Sequence, residues 1–123
     1  MNSLETSYLQ QDLALDGLED RILEAWLEAN GVSECEVDTF TRKDGLIILI
    51  QNAFTRAESL LAERRRTDNT LREYIKSLMK VIGEEQILAP GKVAGRRVDS
   101  FSTHISLNQG WVMWLIKLSD LRT

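Results

Sequence analysis

Cysteine, proline and histidine are almost missing from this sequence of 123 residues, which holds one of each: Cys35, Pro90 and His104. A lone cysteine cannot close an internal disulfide. Cys35 with His104 also falls short of the ligand set that a structural zinc site takes, so both kinds of staple are excluded. Long apolar runs are missing too. The longest, Leu46 to Ile50 and Trp111 to Ile116, stop far below the ~18 residues that span a bilayer, and no membrane-crossing helix is expected. The start, Met1-Asn2-Ser3-Leu4-Glu5, has neither the positive region nor the apolar middle of a secretory signal, which gives a cytoplasmic expectation.

What is there suits one ordinary domain over residues 1–123. With 43% hydrophobic and 28% charged positions, a chain of this size buries roughly two thirds of its unfolded surface without help from metal or disulfide. No low-complexity linker divides it. The net charge of −4 conceals a split: residues 1–50 hold 11 Asp/Glu against 3 Lys/Arg, and residues 51–123 hold 8 against 12. Acidic and basic elements are therefore expected to pack side by side, or to form a bipolar surface that docks a partner or a second copy.

Periodicity predicts the elements. A helix over about Ser3 to Leu15 places Leu4, Tyr8, Leu9 and Leu13 at helical spacing. A second, after Asp16, lines Leu18, Ile22, Ala25, Trp26 and Ala29 on one face and stops at Asn30-Gly31, where glycine takes the left-handed conformation without steric cost. The period then changes to two. Cys35, Val37 and Thr39 alternate with Glu34, Glu36 and Asp38, Arg42-Lys43-Asp44-Gly45 turns, and Leu46 to Ile50 returns as the most buried strand.

Thr55 and Glu58 form a capping box for a third helix, with Ala57, Leu60 and Leu61 expected inward and Arg64-Arg65-Arg66 at its end. Thr67-Asp68-Asn69 breaks it. A longer helix from Thr70 sets Leu71, Ile75, Leu78, Met79 and Ile82 at core spacing, weakens at Gly83 and ends before Pro90-Gly91. A closing hairpin pairs Val98 to Ser106 with Trp111 to Leu118 across Leu107-Asn108-Gln109-Gly110. The expectation is an α+β fold in the order ααββααββ, a four-stranded, largely antiparallel sheet with helices mainly on one face.

No residue set assembles into a reaction centre. His104 shares a strand face with Ser100, Ser102 and Ser106, yet no orienting acid or nucleophile elbow accompanies it, and a polar strand face explains it. Cys35 faces inward beside Glu34 and Glu36, which disfavour a thiolate. The row Glu34, Glu36, Asp38 lacks the spacing and turn glycine of a calcium loop. Gly91 to Gly95 matches neither a dinucleotide fingerprint nor a Walker loop. Arg64, Arg65, Arg66, Arg72, Lys76 and Lys80 make the central helices basic, but nucleic acid is disfavoured because the chain is acidic and no aromatics interleave with the cations. The last strand is apolar on both faces, with Trp111, Met113 and Leu115 alternating with Val112, Trp114 and Ile116. Helices on one side of the sheet would leave one of these tryptophans exposed as a groove or dimer contact.

Three stretches resemble the MpsC-like family of small bacterial domains. They are Lys43-Asp44-Gly45-Leu46-Ile47-Ile48-Leu49 followed by Phe54-Thr55-Arg56-Ala57-Glu58, the helix centred on Arg72, and the hairpin from Ser102 to Leu118, within about residues 20–118. The family takes its name from a membrane potential-generating system connected with cation and inorganic-carbon transport. The resemblance implies a soluble accessory, and it brings no catalytic residues. Arg64-Arg65-Arg66 and the Trp-rich last strand look closer to stand-alone members of the cyanobacterial type, which implies control of biofilm or sessile growth.

The resulting expectation is a non-enzymatic cytoplasmic regulatory or adaptor protein without cofactor or metal. It would bind a protein partner, or a second copy, through Trp111, Met113 and Trp114 together with Glu34, Glu36, Asp38, Arg64, Arg65, Arg66, Arg72 and Lys76. The alternative is a soluble accessory that associates peripherally with a membrane cation or inorganic-carbon transport system.

Overall fold

A computed structural model describes Leu15, residues 17–64 and residues 69–119. Apart from Leu15, the helix expected near the start lies outside the described residues, as do Arg65, Arg66 and the Thr67-Asp68 break. The elements in chain order are α1 (Leu18–Asn30), β1 (Glu36–Arg42), β2 (Gly45–Gln51), α2 (Arg56–Arg64), α3 (Thr70–Gly83), a π-helical turn (Glu84–Leu88), β3 (Lys92–Val93), β4 (Arg96–Ser106) and β5 (Trp111–Leu118).

The sheet has five strands in the order β1-β2-β5-β4-β3, every neighbouring pair antiparallel. This corrects the expected four strands. The extra one, β3, is joined to β4 by Ala94-Gly95 with φ of 55° and 76°. Positive φ at both central positions gives the tight hairpin a twist that matches its strands. Alanine there hides the turn from sequence, because Asn-Gly is the usual signal.

Side-chain parity decides which face of the sheet is covered. Leu46, Ile48 and Ile50 of β2 and Val112, Trp114, Ile116 and Leu118 of β5 are buried in one cluster with Leu18, Ile22 and Trp26 of α1 and Ile75, Met79 and Ile82 of α3. At its centre the rings of Trp26 and Trp114 meet edge to face, with centroids 6.1 Å apart. Each indole N–H has an acceptor: Trp26 Nε1 donates to the Ala53 carbonyl at 2.8 Å, and Trp114 Nε1 to the Met79 carbonyl at 3.0 Å. Buried indoles need such partners, and these two tie α1 and α3 to the sheet's own loops and strands.

Two glycines mark close approaches. A Cβ on Gly45 would stand 2.0 Å from the Ile116 carbonyl oxygen, and one on Gly83 would stand 2.4 Å from the Phe101 ring. Gly83 closes α3 beneath Phe101, and the chain stays helical beyond it. The helix then widens into the π-turn, where the Ala89 amide donates to the Glu84 carbonyl at 2.9 Å, and it stops before Pro90.

The capping box at α2 forms as expected, with the Thr55 amide donating to Glu58 Oε1 at 2.9 Å and the Glu58 amide to Thr55 Oγ1 at 3.2 Å. Its inward face differs from expectation. Leu60 and Leu61 are each 47% exposed and Ala57 is exposed, while Glu58 and Ala62 are buried. Asn30 Nδ2 donates to both Glu58 oxygens, at 2.9 and 3.0 Å. That bond turns the face bearing Glu58 and Ala62 toward the end of α1, so the two leucines point away.

Candidate protein-interaction face

The helices cover one face of the sheet. The other face is laid out by the strand register, since residues two apart on a strand share a side. Four rows cross β1, β2, β5 and β4 in turn: Glu36, Gln51, Trp111, Ser106; then Asp38, Leu49, Met113, His104; then Phe40, Ile47, Leu115, Ser102; and then Arg42, Gly45, Lys117, Ser100. Six of these side chains are large and apolar. Phe40 is 52% exposed and Leu115 37%, and Ile47, Leu49, Met113 and Trp111 are half-buried.

Isolated apolar residues are common on surfaces and clustered ones are not, which makes this contiguous band the candidate site. The band has charged ends and a polar flank. Glu36 and Asp38 lie at one end of β1, Arg42 and Lys117 at the opposite end, and the serines with His104 run down β4. Local bonds fix several rim groups. Gln51 Nε2 donates to Asp38 at 3.3 Å, Trp111 Nε1 donates to Gln109 Oε1 at 2.9 Å, and Ser102 Oγ lies 3.2 Å from His104 Nε2.

Of the residues singled out from sequence, Trp111, Met113, Glu36 and Asp38 come together on this face. Glu34 is exposed just before β1. Trp114 does not belong with them: it is 0% exposed and forms part of the core. The parity of β5 gives the reason, since Trp114 points to the helices in step with Val112 and Ile116. Arg64 ends α2, and Arg72 and Lys76 are exposed on α3, in the layer that covers the opposite face. They do not join the apolar band, whose cations are Arg42 and Lys117.

Sequence periodicity does not assign Phe40, Ile47 and Leu49 to this surface. Phe40 was legible as the next alternating position after Asp38, but an unbroken apolar run such as Leu46 to Ile50 does not reveal its own outward positions.

Cys35 packs against the core, and burial pushes its thiol above its ordinary pKa. Among the described residues, no cluster of three or more His, Cys, Asp and Glu could hold a metal ion. No described helix is long and apolar enough to cross a membrane.

Fold and face together define an α+β domain whose sheet is helix-covered on one side and presents an apolar band on the other. Residues 20–120 match the family model described as "Na+-translocating membrane potential-generating system (MpsC)", and the chain belongs to the MpsC family. That membership links it to a membrane potential-generating system. No curated protein and no solved structure matches the chain.

Proposed function

We propose that this chain is a non-enzymatic cytoplasmic adaptor that serves a membrane potential-generating system by binding protein through its open sheet face. The exposed band of Phe40, Ile47, Leu49, Met113, Leu115 and Trp111 carries the reading. A soluble domain gains nothing from such a band unless something covers it, and a patch of this kind is a docking surface. The family description supplies the setting. The Ser102 and His104 pair supports binding over chemistry, since it stands in solvent and no carboxylate bonds the imidazole among the described residues. Nucleophilic catalysis requires that orienting group. No feature of the face favours control of biofilm or sessile growth over this role.

Membrane sedimentation tests the proposal. Salt-washed membranes that contain the potential-generating system are expected to retain the wild-type chain, and membranes lacking the system are not. Leu115→Glu places a charge in the middle of the band without touching the core, and it is expected to abolish retention. Equal retention of Leu115→Glu would sink the assignment.

A further inference from the structure

The four rows of the open face have a symmetry of their own. A second sheet can lie face to face on this one with its strands aligned, and a two-fold axis in the plane between them runs either along the strands or across them. The two choices make different contacts.

With the axis along the strands, β1 of one copy lies over β4 of the other. Ile47 then sits on Leu115 and Leu49 on Met113, but Phe40 sits on Ser102, Glu36 on Ser106 and Arg42 on Ser100, so neither Glu36 nor Arg42 meets an opposite charge. With the axis across the strands, between the Asp38 row and the Phe40 row, every strand lies over its own counterpart turned end for end. Leu49 meets Ile47, Met113 meets Leu115, and the serine flank of β4 meets itself, while Asp38, bonded to Gln51 of its own chain, lies over the edge of Phe40. Glu36 meets Arg42, and Trp111 meets Lys117, an ammonium over an indole. Each of these contacts occurs twice.

Glu36, Arg42 and Lys117 are exposed and have no ion-pair partner within the chain among the described residues. The end-for-end arrangement provides one for Glu36 and for Arg42. Aligned sheets cross at about 30°, a displacement that the long side chains at the corners can span.

We propose that the open face docks a second copy of this chain, turned end for end about an axis perpendicular to the strands, with Glu36 of each copy paired to Arg42 of the other. This deepens the docking role assigned to the face and rests on it. Four strands at ~4.8 Å spacing and seven residues at ~3.3 Å give a flat area of about 440 Å² per copy. Two such faces total about 880 Å², below the roughly 1,200 Å² at which stable interfaces begin, so the dimer is expected to be weak and reversible.

Sedimentation equilibrium of the full chain over a wide concentration range tests this directly. Wild type is expected to dimerise, and Leu115→Glu to stay monomeric, with a thermal midpoint that matches the wild type's at concentrations low enough for the wild type to be monomeric too. Glu36→Arg and Arg42→Glu each set like charges against each other at both ends and are expected to raise Kd about tenfold. The double variant Glu36→Arg/Arg42→Glu restores both pairs with reversed polarity and is expected to return Kd to near the wild-type value.

The two residues lie six positions apart on one strand, about 20 Å, so a rescue cannot arise within a single chain. A double variant as weak as the singles overturns the end-for-end geometry. A monomeric wild type overturns the second copy as occupant. If Leu115→Glu still loses membrane retention in that case, the face docks a different protein; if it keeps retention, the docking role falls as well.

Discussion

Gly83→Ala should change the sign of its effect with the residue that lies above it. In an exposed helix interior this substitution gains about 1 kcal/mol, because alanine has the better helix propensity. Here the new Cβ would stand 2.4 Å from both Cε2 and Cζ of Phe101 and 3.0 Å from Cε1. The ring has to withdraw by about 1 Å to restore van der Waals contact, and overpacking of that kind costs about 1–3 kcal/mol. The net expectation is a loss of about 1 kcal/mol in the native background. In a Phe101→Ala background the obstruction is gone, and Gly83→Ala should stabilise by about 1 kcal/mol. Urea unfolding of the four proteins, followed by tryptophan fluorescence, measures the cycle. An effect of the same sign in both backgrounds would refute the reading of Gly83 as a contact glycine.

Other substitutions separate core from surface. Trp114→Ala removes a fully buried indole and should cost about 3–5 kcal/mol, a large share of a small domain's stability. Trp111→Ala, on the open face, should cost under about 1 kcal/mol, and thermal melts of the two variants should differ accordingly. Ala94→Asn relieves a left-handed alanine at φ 55° and should stabilise by about 1 kcal/mol, seen as a rise of several degrees in the thermal midpoint. Burial raises the Cys35 pKa, so the folded state holds the thiol proton more tightly than the unfolded one. This contribution to stability is intact below the unfolded thiol's pKa and is lost as pH rises through the folded one. Thiol alkylation at mildly alkaline pH should therefore be slower in the native protein than in urea, and equal rates would contradict the burial.

Much of the architecture was legible because its signals are local. The Thr55 and Glu58 box, the stop at Gly31 and the core spacing from Leu71 to Ile82 depend on residues a turn apart, and all appear in the fold. One feature that escaped is local, the β3 hairpin hidden by Ala94 at its turn, and the others depend on contacts distant in sequence. Leu60 and Leu61 look inward by spacing, but Asn30, far away in the chain, decides which side of α2 faces the core. Gly83 reads as a weak point, and α3 does give way to the π-turn directly after it, but the ring of Phe101 lying across it is invisible in the sequence. The candidate face was half legible for the same reason. The two-sided apolar pattern of β5 pointed to an exposed band, whereas the choice of Trp111 over Trp114 and the presence of Arg42 and Lys117 at its end follow from register and helix placement.

The most direct test of the open face as the working surface is the sodium-dependent membrane potential in cells that lack the native chain, complemented with equal amounts of folded variants. Wild type and His104→Ala are expected to restore the potential, and Leu115→Glu is expected to leave it at the level of the uncomplemented cells. Full restoration by Leu115→Glu would contradict the account.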